Sequence, residues 1–152
     1  MGPAIDYGIR PGIITDMTDD SATEYSRSAV SSDIDAHSHA MEMPIASVVE
    51  ELVDLLGAPL VAVIGGVGET RAVAQWTTTR KPQRPNVLRF ALQVATMIAR
   101  SADRELARAW FEGSNPHLGD AVPALLLRDR PLSDIQGNLM AAARDFASRG
   151  AR

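Results

Sequence analysis

Apolar residues recur every three or four positions through most of the chain beyond its N-terminal quarter, which is the spacing of amphipathic helices. Pro44 stands at a first helical position and Gly57 follows the last apolar residue of the first repeat, so this helix has a start and a stop signal. Ser101 is expected to cap the fifth helix. The segment 113–130 is expected to be a loop with a short apolar piece at 124–127. The predicted helices cover about residues 44–56, 58–64, 69–78, 86–100, 102–111 and 131–148, and the predicted fold class is all-α.

Residues 1–43 show neither helical nor strand periodicity, and Ser, Thr, Asp, Gly and Pro dominate them. They carry eight acidic residues and two arginines, a net charge of -6. Too little apolar surface is present to offset an ordering cost of about 1–2 kcal/mol per residue. A mostly disordered acidic tail is therefore expected, or a true start at Met41 or Met43. His37 and His39 are expected to be solvated, because two imidazoles without a third ligand bind metal weakly.

Composition narrows the function classes. The chain of 152 residues has a net charge of -4 and no cysteine, which excludes disulfides, thiolate metal sites and cysteine nucleophiles. No apolar run reaches the roughly 18 residues of a membrane-spanning helix, and the first residues lack a secretory signal, so a cytoplasmic protein is expected. With three scattered histidines, no group of residues resembles a catalytic centre. We therefore expect neither an enzyme nor a bound cofactor.

The segment 68–100 departs from the acidic balance of the whole chain. It holds six basic residues and one acidic residue, a net charge of +5. Such a stretch favours a surface that faces a polyanion, and a solvated helix face is the alternative.

Residues 61–70 resemble a strand that enters a phosphate-binding glycine loop. A P-loop needs a lysine at the position of Glu69, and a dinucleotide-binding loop needs a glycine at the position of Arg71. Because both patterns fail and no alternation of strands and helices follows, nucleotide binding is not expected.

The three helices between residues 44 and 84 are spaced like a helix-turn-helix, with a glycine-containing turn between the second and the third. The third helix would lie in the DNA major groove, where Arg71 pairs with guanine and Gln75 with adenine. Cations beyond it would bind phosphates. The alternative is that the three helices only pack together. The candidate DNA-binding residues are Thr70, Arg71, Gln75, Thr78, Arg80, Lys81 and Arg84.

The C-terminal part carries a more specific pattern. A tryptophan that ends one helix is followed by an Asn-Pro-x-Leu-Gly loop and then by Pro-x-x-Leu-Leu, at Trp110, Asn115, Pro116, Leu118, Gly119, Pro123, Leu126 and Leu127. This pattern resembles the toxin-binding domain of Xre/MbcA/ParS-type antitoxins. Upstream, residues 73–76 match the recognition helix of that family, and Arg84-Pro85 matches its link to the next helix. The resemblance covers about residues 44–150. The family has a glycine shortly after the recognition-helix tryptophan, whereas residues 77–79 are threonines here.

The resemblance implies an antitoxin of a type II toxin-antitoxin pair that is not itself an enzyme. Its partner would be a RES-domain toxin that destroys NAD, and its C-terminal region would dock on that toxin and cover the active-site entrance. The implied organisation is a tail (1–43), a helix-turn-helix region (44–85) and a toxin-binding helical domain (86–152). The candidate toxin-binding residues are Trp110, Asn115, Leu118, Gly119, Pro123, Leu126, Arg144, Arg149, Gly150, Ala151 and Arg152.

The same resemblance implies that the protein regulates its own operon by binding operator DNA. One helix-turn-helix contacts a half-site, so a homodimer or a hetero-oligomer with the toxin is expected. Two alternatives stay open: a stand-alone helix-turn-helix regulator without a toxin, and an interaction module that has lost DNA binding.

Overall fold

The computed structural model describes residue 31 and residues 33–150. The chain divides into two units, residues 1–35 and 36–152, and the packing given below is that of the second. Every regular element among the described residues is a helix, which confirms the all-α prediction. Residues 33–42 form α1. The elements that follow are α2 (Ile45–Leu56), α3 (Ala58–Gly65), α4 (Thr70–Trp76), α5 (Pro85–Ser101), α6 (Arg104–Glu112), a 3₁₀ turn (Pro116–Leu118), α7 (Pro123–Asp129) and α8 (Leu132–Gly150).

Helix α5 lies at the centre of the second unit and packs against α2, α3, α6 and α8. Its apolar residues are spread over more than one face, and ten of its 17 residues are buried, as expected for a helix surrounded by others. The buried core is continuous from α2 to α8. The expected boundary near residue 85 therefore does not separate two cores, since α5 packs against helices that precede this residue and against helices that follow it.

The N-terminal part differs from the expected disordered tail, because residues 33–42 are helical and Ala40 is fully buried. The Arg89 guanidinium of α5 donates to the backbone oxygens of Ala40 at 3.0 Å and Met43 at 2.5 Å. These carbonyls end α1, where the helix dipole favours a cation. The predicted tail over residues 1–30 and at residue 32 lies outside the described residues.

The turn between α3 and α4 depends on a close approach of the two helices. A Cβ atom on Gly65 would lie 2.5 Å from a ring atom of Trp76, so only glycine leaves room for the indole. Gly66 follows with φ of 80°, in the left-handed region that favours glycine. A glycine-containing turn was predicted here, and the close approach of Trp76 explains why position 65 must be glycine.

The start of α6 corrects the predicted cap. Ser101 is the last residue of α5, and its hydroxyl donates to the Met97 oxygen at 2.9 Å. Asp103 caps α6 instead, because its carboxylate accepts the Leu106 N–H at 2.7 Å. Because α5 continues through Ser101, the next helix begins two residues later and its N-cap is the aspartate.

Residues 113–130 are more ordered than a loop. They contain the 3₁₀ turn and α7, with an isolated bridge between Asn115 and Ala121. The segment that resembled a strand, 61–64, lies within α3. Among the described residues, no helix combines the length and the apolar character that crossing a membrane requires.

Candidate nucleic-acid interface and partner surface

Helix α4 presents an outward face to solvent. Val73 and Trp76 are buried against the core, whereas Thr70, Arg71 and Ala74 are exposed. Gln75 is half-buried and Thr78, just beyond the helix, is exposed. We call the exposed residues of α4 and of the segment 77–81 the α4 surface. Five of the seven candidate DNA-binding residues are exposed on the α4 surface, and these are Thr70, Arg71, Thr78, Arg80 and Lys81.

The cations of the α4 surface are available to a ligand. Arg71, Arg80 and Lys81 are exposed, and none forms an ion pair with another residue in the part of the chain that the structure describes. Unpaired surface cations carry a field that attracts polyanions and is screened by salt.

The segment after α4 is held in place although the expected glycine is absent. The Thr77 hydroxyl donates to the Ala74 oxygen at 2.7 Å. The backbone N–H groups of Thr79 and Arg80 both donate to the Gln75 oxygen at 2.9 Å. These bonds end the helix without a left-handed residue, since Thr77 keeps a right-handed conformation. The three threonines thus end α4 without a glycine.

Arg84 differs from its expected role as a phosphate contact. Its guanidinium donates to the backbone oxygens of Leu127 at 2.6 Å, Arg128 at 3.1 Å and Ile64 at 3.3 Å. These oxygens lie at the C-terminal ends of α7 and α3, where unpaired carbonyls and the helix dipole favour a cation. The arginine therefore joins the end of α3 to the end of α7 instead of facing solvent.

The Asn-Pro segment is a turn organised around Asn115. Its side-chain oxygen accepts the His117 N–H at 2.9 Å, and its backbone oxygen accepts the N–H groups of Leu118 and Asp120, each at 2.9 Å. Gly119 and Asp120 both have positive φ, 64° and 65°. Asn115 itself is buried, so its first role is to shape the turn.

Several other candidate toxin-binding residues also lie in the core. Trp110 is buried and meets Phe111 edge-on, with ring centroids 5.1 Å apart. Pro123 is buried at the start of α7. Leu118 and Leu126 are half-buried and Gly119 is exposed, so these three lie nearer the surface.

A small ion-pair group joins the turn to the last helix. Asp145 of α8 binds His117 Nε2 at 3.0 Å and the Arg149 guanidinium at 2.9 Å through the same carboxylate oxygen. Arg149 was expected to contact a partner, and no signal in the sequence links His117 to Asp145, 28 positions further along the chain. Arg144 is exposed.

The C-terminal end of α8 approaches the α5–α6 linker. A Cβ atom on Gly150 would lie 3.1 Å from the Ala102 Cβ, so the chain packs closely here. We call the exposed residues of the Asn-Pro turn and of the last turns of α8 the partner surface. Ala151 and Arg152, which complete the candidate set, lie outside the described residues.

The ion pair beside Arg84 is exposed. Arg128 Nε contacts the Asp129 carboxylate at 2.6 Å. Its hydrogen bond, helped by the charges of Arg128 and Arg84, lowers the pKa of Asp129 below the ordinary carboxyl value. Asp129, at the C-terminal end of α7, therefore stays ionised to a lower pH than an ordinary aspartate does.

In the described part of the chain, His, Asp and Glu do not cluster in threes that would hold a metal ion. Comparison of the chain with protein-family models, with curated proteins and with solved structures finds no match. A functional proposal therefore depends on the two surfaces and on the resemblance carried by the residues of the C-terminal pattern.

Proposed function

We propose that this chain is an antitoxin that binds operator DNA through the α4 surface and blocks a RES-type, NAD-degrading toxin through the partner surface. The observation that carries the DNA-binding part is the face of α4, which leaves Arg71 exposed and is followed along the chain by the exposed, unpaired Arg80 and Lys81. The antitoxin part depends on the resemblance of residues 110–127 to the toxin-binding pattern.

The α4 surface supplies the two kinds of contact that a DNA reader needs. Arg71 lies on the helix that enters the major groove, where a guanidinium makes two hydrogen bonds to guanine. Arg80 and Lys81 follow on the segment beyond the helix, where they neutralise phosphates without regard to sequence. The protein binds as a dimer, or together with its toxin, to half-sites about one helical turn apart.

The DNA-binding proposal is tested by fluorescence anisotropy with DNA from upstream of the gene and with a scrambled duplex. Arg71→Ala weakens binding to the upstream DNA by about 1–3 kcal/mol and reduces the preference for it over the scrambled duplex. Lys81→Ala weakens both duplexes alike and lowers the salt slope by about 0.9. Arg108→Ala, on an exposed part of α6, is the matched control and leaves both affinities unchanged. Unchanged binding in both α4-surface variants would contradict the proposal.

On the partner surface, the proposed inhibition is steric. The last turns of α8 cover the entrance of the toxin's active site, and exposed arginines such as Arg144 and Arg149 meet groups that normally face the phosphates of the dinucleotide. Arg149 is held by Asp145, which pre-orients its guanidinium and lowers the entropy cost of binding.

This part is tested by co-expressing the chain with the product of the adjacent gene, followed by size exclusion and an assay of NAD consumption. The full chain forms a stable complex and silences NAD loss, whereas a chain that ends at Arg149 inhibits less. Arg71→Ala is the control, since it impairs DNA binding and leaves inhibition intact. A truncated chain that inhibits as well as the full one would refute the assigned role of the C-terminus.

A stand-alone transcriptional regulator is the second candidate. The observation that favours it is that Trp110, Asn115 and Pro123 are buried, so each has a structural reason to be present without any toxin. Salt-dependent DNA binding combined with no complex from the co-expression experiment would establish this alternative.

A further inference from the structure

A cleft of about 310 Å³ lies on the side of α5 that faces α1 and α2. It is separate from both surfaces described above, and its volume falls at the lower end of the range of small-molecule sites. Its lining includes His39, Glu51 and Asp54 on one side and Thr96, Ala99 and Arg100 on the other.

The two walls carry opposite charges. Glu51 and Asp54 lie one helical turn apart on α2. Glu51 accepts from His39 Nε2 at 2.9 Å and 3.0 Å, and Asp54 contacts the Arg104 guanidinium at 2.7 Å. On the α5 wall, Arg100 forms no ion pair within the described residues. A ligand would therefore meet carboxylates on one wall and an unpaired guanidinium on the other.

A buried hydroxyl on the α5 wall points to the same conclusion. Thr96 is 8% exposed, and its hydroxyl oxygen has no hydrogen-bond partner among the described residues. A threonine inside a helix can donate to a backbone carbonyl of the preceding turn, as Ser101 does to Met97 one turn further along. Leaving a buried hydroxyl unpaired costs free energy, and this oxygen is closed to solvent, so it gains an acceptor in the cleft when the Thr96 side chain rotates toward it.

We infer that this cleft binds a small zwitterion of the α-amino acid class. The ligand's carboxylate accepts from Arg100 and from the Thr96 hydroxyl, and its ammonium group lies against the carboxylates of Glu51 and Asp54. Half-buried Leu55 and Ala99 supply the apolar contact for a short aliphatic side chain. The site does not depend on the antitoxin proposal.

The experiment is an NMR titration of the full chain with L-leucine, with 4-methylpentanoate (which lacks the ammonium group) and with 3-methylbutylamine (which lacks the carboxylate). L-Leucine is expected to saturate with a Kd of about 1 mM or tighter, shifting amides of α2 and α5 at the cleft. Each analogue is expected to bind at least about tenfold more weakly, since it loses the charge-assisted bonds at one wall.

Two variants and a control complete the test. Thr96→Val keeps the shape of the side chain and removes a hydroxyl that has no protein partner, so the free protein folds at least as stably while binding L-leucine about fivefold or more weakly. Arg100→Gln, at an exposed position, weakens binding by at least about tenfold. Arg108→Gln leaves it unchanged.

Three results would overturn the inference. These are no saturation below about 10 mM for L-leucine, equal binding of all three compounds, and unaltered binding by both cleft variants.

Discussion

Replacing Arg84 by methionine tests whether this arginine holds the end of α3 to the end of α7. Methionine keeps an unbranched apolar side chain and removes the guanidinium. The wild-type group makes three bonds to carbonyls, of which the bond to Leu127 at 2.6 Å is the shortest and the bond to Ile64 at 3.3 Å the longest. A hydrogen bond from a charged group contributes about 1.5–3 kcal/mol, and buried carbonyls left unpaired cost more.

Because Arg84 is half-buried and one of its bonds is long, we expect Arg84→Met to destabilise the protein by about 2–4 kcal/mol, not by the full sum. A domain of ordinary stability has about 5–15 kcal/mol, so this loss is a large fraction of the total. It corresponds to a fall in Tm of roughly 6–16 °C.

The assay is urea unfolding followed by circular dichroism, with thermal unfolding as a second measurement. Arg80→Met is the matched control, because Arg80 is exposed and has no ion pair among the described residues. It should change stability by less than about 0.5 kcal/mol while weakening the proposed DNA binding. An Arg84→Met variant as stable as the wild type, or an Arg80→Met variant destabilised to the same extent, would show that Arg84 does not hold α3 to α7.

Three further predictions concern stability and charge. Gly65→Ala places a Cβ 2.5 Å from a ring atom of the tryptophan that ends α4, and it should lower the free energy of unfolding in urea by about 1–3 kcal/mol. Gly137→Ala, whose Cβ has nothing within 4 Å, is the control and should raise the free energy of unfolding by about 0.5–1 kcal/mol. Equal effects of the two substitutions would contradict the close approach of Gly65 and the tryptophan. Asp103→Ala removes the N-cap of α6 and should lower the free energy of unfolding by about 1 kcal/mol in the same measurement. An unchanged free energy of unfolding would show that Asp103 is not the residue that caps α6. Arg128→Ala should raise the pKa of Asp129 in an NMR titration; because the native pKa is lowered, the stabilisation from this pair is present above the ordinary carboxyl pKa and is lost as the pH falls through the lowered value. An unshifted Asp129 titration would show that the pair is not formed in solution.

Helix positions were predictable from the sequence because they depend on local order. Apolar spacing placed the six predicted helices within about three residues of their observed ends, as α2 (Ile45–Leu56) and α5 (Pro85–Ser101) illustrate. The exposed face of α4 followed from the same periodicity, since Val73 and Trp76 must face inward and Arg71 then faces outward.

The places where prediction failed share a cause. The segment 33–42 has little periodicity of its own, and its helix is accompanied by burial of Ala40 and by the Arg89 bonds to the carbonyls at its end. Ser101 and Asp103 are both good caps, and only the length of α5 decides between them. Both the helix at 33–42 and the choice of cap depend on contacts with parts of the chain that are distant in the sequence or on how far a neighbouring helix extends, which the local pattern does not show.

The sequence by itself determined that the chain is helical, where most helices lie and which face of α4 is polar. Only the tertiary structure showed which arginines of the basic stretch become part of the fold, because a helix end becomes a partner only when packing brings it to the guanidinium. Arg84 and Arg89 meet such carbonyls and become part of the fold, whereas Arg71 and Arg80 meet none and face solvent. All four stand in one basic stretch, and the positions of α1 and α7 separate the structural cations from those available to a ligand.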